Sequence, residues 1–133
     1  MVNKSNKKEN SLDKIMNLDY RKNENKEKIN EILTKFKFLQ SYKGKKVPQI
    51  EVENFIGMMC RKYQIGIQWV TMSFLPDEVN MYSASILRTD THEWLGTVYG
   101  YCMLELLNKA AIKMFFDIKE KEIPKRKEVK DED

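Results

Sequence analysis

The residues best equipped for chemistry stand together in one short run, Arg88-Thr89-Asp90-Thr91-His92-Glu93-Trp94. It holds the chain's sole histidine between two carboxylates. One reading is a binding loop in which Asp90, His92 and Glu93 approach a metal. The other is a hairpin turn in which Asp90 and Thr91 bond the backbone and His92 faces water, with Arg88 beside them as a further candidate binding residue. The turn is the better reading, because His92 has no further ligand at metal-binding spacing. It is the only histidine available for acid–base work, and no second catalytic group can be assigned to act with it. Cys60 and Cys102 form no CxxC pair and have no neighbouring histidine, so they read as buried thiols, not as nucleophiles or zinc ligands. The expectation is a protein that is not an enzyme and has no cofactor and no metal.

Binding residues are the next candidates. Lys35, Lys37, Lys43, Lys45 and Lys46 form a basic patch, suited either to phosphate contact or to a solvated linker. Trp69, Tyr82 and Tyr99 stand in strand-like segments. They could stack bases on an open sheet face, or pack beneath an N-terminal helix or a second subunit. Charge separates these readings. Residues 1–46 carry 13 Lys/Arg against 6 Asp/Glu, a net of +7; residues 47–118 carry 5 against 8, a net of −3; residues 119–133 carry 6 of each. The basic character therefore lies in the N-terminal segment, whereas a phosphate-gripping fold carries its cations on the module itself.

These residues need elements to hold them. Ile29, Ile32, Leu33, Phe36 and Leu39 recur at three- and four-residue spacing, which predicts a helix over Glu24–Tyr42, broken by Lys43-Gly44-Lys45-Lys46. Pro48 suits the first turn of a second helix, with Val52, Phe55, Ile56, Met59 and Tyr63 as its buried stripe and Gly66 as its stop. The period then changes to two. Strands are predicted over Ile67–Leu75, Met81–Arg88 and Glu93–Tyr99, with a turn at Pro76-Asp77-Glu78. In the third strand Trp94, Gly96 and Val98 are expected on one face, with Leu95, Thr97 and Tyr99 on the other. Met103, Leu107, Ala110, Ala111, Met114, Phe115 and Ile118 give a last helix, about Tyr101–Lys121, a broad apolar face.

The fold class is α+β: an N-terminal helix, then an α-β-β-β-α module with a three-stranded antiparallel meander and helices on one face. The expected organisation is a disordered basic arm (1–23), an amphipathic helix and basic linker (24–46), the αβββα domain (47–121) and a charged flexible tail (122–133). The N-terminal helix has three possible beds: the open sheet face, the helical layer or a second subunit. No apolar run approaches the roughly 20 residues that cross a bilayer, and Met1–Lys8 has no apolar core behind it. A cytoplasmic protein with no membrane contact is expected.

The order helix–strand–strand–strand–helix over Glu51–Ile118 resembles that of double-stranded-RNA-binding domains. The segment Thr97–Phe116, with Lys109-Ala110-Ala111-Ile112, resembles the end of small phage proteins of the "phage ABA sandwich" type. The first resemblance implies RNA binding through lysines at the start of the last helix; the matching positions here are Tyr101-Cys102-Met103-Leu104-Glu105, without that cluster. The second implies a small accessory protein of a phage or mobile element. Two functions follow as expectations. The first is protein–protein binding, by inhibition of a host system or by self-association into a homodimer. The alternative is nucleic-acid binding through residues 1–46.

Overall fold

Apolar spacing sets the order of the elements, and the computed structural model shows where each stripe is buried. It describes the backbone of residues 11–73 and 81–127, and their side chains except at 69–73 and 81. The expected turn at Pro76–Glu78, the strand end at Phe74–Leu75, residues 1–10 of the arm and residues 128–133 of the tail lie outside the described residues. The chain runs through a short helix α1 (residues 11–16), α2 (Asn23–Leu33), a 3-10 helix (Lys37–Tyr42) and α3 (Gln49–Lys62). Then follow β1 (Ile65–Ser73), β2 (Met81–Arg88), β3 (Trp94–Gly100) and α4 (Met103–Glu120). The fold is α+β, with an antiparallel sheet in the order β1-β2-β3.

Helix α4 is the centre of the molecule. Leu106, Leu107, Ala110, Ala111, Ile112 and Met114 are buried along it. The two alanines have no exposure at all, which lets neighbouring backbones approach closely. α3 lays Val52, Phe55, Ile56 and Met59 against it, as its spacing predicts. Glu51 in the first turn of α3 and Arg61 and Lys62 in its last complement the helix dipole. The helix ends at Lys62, and Gly66 does not stop it; that glycine lies within β1, paired with Leu87. Met103 departs from the expected apolar face and is exposed.

The predicted single helix Glu24–Tyr42 is two elements. α2 ends at Leu33, where Thr34 Oγ1 donates to the Glu31 carbonyl at 3.0 Å and the next two amides bond three residues back. This tightening lets Phe36 leave the helical path in an extended conformation (ψ 136°). Its ring then inserts between Phe55, at 5.4 Å between centroids, and Phe115, at 4.3 Å. Packing of one aromatic overrides a continuous helical period. Gly44 takes φ +82° in the turn that follows, the left-handed conformation that glycine adopts without strain.

Of the three beds open to the N-terminal helix, α2 takes the helical layer, with Ile29 and Leu33 buried alongside α4. The preceding residues are not a free arm from residue 11 onward. Tyr20 is buried, and Leu12, Ile15, Met16 and Leu18 pack on the core. Their anchor is Lys109, buried within α4. Its ammonium donates to the carbonyls of Met16 (2.9 Å) and Leu18 (2.8 Å) and to Glu105 Oε2 (2.6 Å). The start of the expected flexible tail is docked too. Ile123 is buried, and Arg126 donates to the carbonyls of Cys60 (2.6 Å) and Ile65 (3.3 Å), covering the C-terminal end of α3.

Candidate functional site

With α2 in the helical layer, α3 and α4 cover one face of the sheet. Ala84, Ile86 and Val98 are buried on that side. β2 and β3 pair Ser83 with Tyr99, Ser85 with Thr97 and Leu87 with Trp94, and these six side chains share the opposite face. Among them Trp94 is 65 % exposed and Tyr99 56 %. Ser85 Oγ and Thr97 Oγ1 lie 3.5 Å apart between the two aromatics. None of the six carries a charge. Gln68 of β1, paired with Ser85, continues this face.

A bulge sets the position of Trp94. The ladder steps from Ile86↔Gly96 to Leu87↔Trp94, leaving Leu95 as an extra residue. Gly96 sits there at φ +130°, a conformation that a side chain would strain. Leu95 consequently packs on the core, and Trp94 moves to the face of Tyr99. Strict alternation placed Trp94 with Val98. The signal that could have corrected it was Gly96 itself, because a glycine inside a strand often marks a bulge.

The aromatics named from sequence do not form one platform. Tyr82 pairs with Gly100 on the helical side and is half-buried against the core. Trp69 pairs through its backbone with Ala84, and its side chain is outside those described. Of the two whose side chains are described, Tyr99 stands on the open face and Tyr82 does not. Gly100 marks how closely the end of β3 meets α4: a Cβ there would lie 2.6 Å from the Leu106 amide nitrogen.

Residues 89–93 of the polar run form the hairpin connection between Arg88, the end of β2, and Trp94, the start of β3. Arg88 holds Asp90 with two parallel bonds of 3.0 Å, Nε to Oδ1 and Nη2 to Oδ2. This guanidinium keeps the Asp90 carboxyl below the usual aspartate range. Thr91 Oγ1 accepts from the Glu93 amide, and His92 is exposed at φ +66°. Among the described residues no three His, Cys, Asp or Glu side chains come together in a way that could hold a metal.

The lysines divide into two sets. Lys35, Lys37, Lys43, Lys45 and Lys46 are exposed. Lys109 and Lys113 of the last helix are tied by ion pairs to Glu105 (2.6 Å) and Asp117 (3.0 Å), and Lys119, in its last turn, lies over the Phe115 ring at 5.4 Å. Lys45 and Lys46 border a groove formed by α2, the 43–47 turn and the start of α4. Burial pushes the Cys60 thiol above its usual range, so it stays protonated and unreactive at neutral pH.

Comparison of the chain with protein-family models, with curated proteins and with solved structures finds no match to it.

Proposed function

We propose that the protein is a non-enzymatic binding protein that acts by protein–protein contact, through the face of its sheet that the described residues leave uncovered. The observation that carries this reading is an uncharged face bearing two exposed aromatics, Trp94 and Tyr99, opposite the helical layer. Aromatic side chains anchor protein interfaces, where charge is depleted at the centre. A polyphosphate partner would instead require cations there. Lys109 and Lys113 of α4 are engaged in ion pairs, and its first turn offers Met103, Leu104 and Glu105 in place of lysines. The resemblance of Thr97–Phe116 to small phage proteins fits an accessory protein of a phage or mobile element, for which inhibition of a host system is a natural role.

The test is capture from nuclease-treated host lysate at low and high salt. Three baits are compared: the wild type, a Trp94→Ser/Tyr99→Ser variant, and a Lys43→Ala/Lys45→Ala/Lys46→Ala variant. The expected result is a defined protein retained by the wild type and the lysine variant, stable to salt, and lost from the aromatic variant. Light scattering of the same samples identifies the partner as a second copy if the wild type is a dimer and the aromatic variant a monomer. Retention of nucleic acid alone, falling steeply with salt and lost with the three lysines, would overturn the reading in favour of nucleic-acid binding through the basic N-terminal segment.

A further inference from the structure

The bulge in β3 has a prop on its helical side. Gly96 pairs with the buried Ile86, on the side of the sheet that meets α4. What lies over it there is the side chain of Lys113. A Cβ at position 96 would come to 3.1 Å from Lys113 Cε and 3.4 Å from its Nζ. Carbon atoms pack at about 3.5–4.0 Å, so the lysine stem already occupies the space that a side chain of the strand would fill. Glycine at φ +130° and lysine at 113 act as one packing unit: the first leaves the room and the second takes it.

The far end of the stem is fixed as well. Lys113 Nζ donates to Asp117 Oδ2 at 3.0 Å, one helical turn on. The two side chains are 14 % and 7 % exposed. Such a pair adds little net stability, because both charges have left water. Burial accordingly raises the Asp117 carboxyl above its usual range, with Lys113 opposing. What the pair does supply is direction: it anchors the ammonium on α4 and holds the methylene stem across Gly96.

Direction matters because β3 has two ways to meet β2. In the observed one Leu95 is the extra residue, and Trp94 stands opposite Leu87 on the open face. In a regular ladder Leu95 would oppose Leu87, and Trp94 would turn to the side of Gly96 and Val98. Its ring would then enter the layer between β3 and α4, where the Lys113 stem lies. The stem thus opposes the ladder that brings Trp94 inward.

We propose that Lys113 is a positioning residue for the open face: its stem, seated on Gly96 and anchored by Asp117, holds the bulge and so keeps Trp94 outward. The use of that position rests on the binding reading above; the geometry does not.

The test is ¹⁹F NMR of the full chain labelled with 5-fluorotryptophan, with the Trp94 line assigned by its loss in Trp94→Phe. Two variants remove the same two charges and differ only in the stem: Lys113→Ala/Asp117→Asn and Lys113→Met/Asp117→Asn. The alanine pair is expected to move or split the Trp94 line, as the ring samples both registers. The methionine pair keeps an unbranched stem and is expected to leave the line at its wild-type position. In the wild type a nuclear Overhauser effect is expected between the Lys113 ε-methylene and the Gly96 α-protons. Three results would overturn the inference: a wild-type Trp94 line in the alanine pair, an equal displacement in both pairs, or no Overhauser contact between Lys113 and Gly96. The last of these decides if the alanine pair does not fold. No partner enters these measurements, so capture experiments that recover nothing would remove the binding reading and leave this inference standing.

Discussion

Lys109 shows what a single side chain can do inside this fold. Its side chain is 4 % exposed and that of its partner Glu105 6 %, so the pair is held away from water. Three acceptors surround the ammonium, and the second Glu105 oxygen accepts from the Tyr101 amide, so the pair is fully hydrogen-bonded. Removing one partner strands the other charge, which costs about 3–5 kcal/mol. Lys109→Met is therefore expected to destabilise the protein by that amount, and Lys109→Met/Glu105→Gln by less, as read by urea unfolding. The surface carboxylates respond differently to pH. Asp19, hydrogen-bonded by Arg21, and Asp90, held by Arg88, titrate below the usual aspartate value. Their stabilising contribution is present at neutral pH and is lost as pH falls through those lowered values. Asp117 is the reverse: burial raises it, with Lys113 opposing. Its charge works against folding at neutral pH, and that penalty is relieved as pH falls through its raised value. Carboxyl-carbon NMR should show two midpoints below that of an exposed aspartate and one above it.

At the scale of elements, periodicity was a good guide wherever a stripe faced a single neighbour. β2 and α4 lie where apolar spacing places them, within two residues at their ends, and α3 keeps its expected buried stripe although it ends at Lys62, short of Gly66. It failed where one residue answered to a tertiary demand. The helix expected over Glu24–Tyr42 breaks because Phe36 serves two aromatic neighbours from α3 and α4. Trp94 changes faces because Gly96 admits an extra residue into β3. Neither event has a local hydrophobic signature. The groove beside α2 was half-legible: Lys45 and Lys46 stood out as a charge run, whereas the walls that α2 and the start of α4 give it come together only in the fold. The aromatic stack makes its own prediction. Phe36→Ala should cost about 3–5 kcal/mol in urea unfolding. Phe38→Ala, on a ring that is 43 % exposed, should cost less than half as much.

For the whole molecule, the αβββα module and the residues before it share one core. Tyr20, Ile29, Leu33, Phe36, Leu39 and Val47 are all buried in it. Each buried side chain of this size contributes about 1.5–3 kcal/mol, so the six together are on the order of 10 kcal/mol. That matches the entire stability of a typical small domain, about 5–15 kcal/mol. A fragment beginning at Pro48 is therefore expected to lack a cooperative thermal transition, measured by circular dichroism, although it retains every strand. A fragment that melts like the full chain would show that the N-terminal layer is dispensable.

The bulge at Leu95 has a consequence for the sheet's edge as well as for its face. β3 is an outer strand, and a regular outer strand is a template on which another chain can add by backbone hydrogen bonds. With one residue inserted and Gly96 at positive φ, that row of donors and acceptors falls out of step part-way along. A visiting strand would find its register only on one side of the interruption. The same residue that turns Trp94 outward thus discourages indiscriminate strand addition, so association through this sheet has to be earned by the side chains of its open face and not by the backbone.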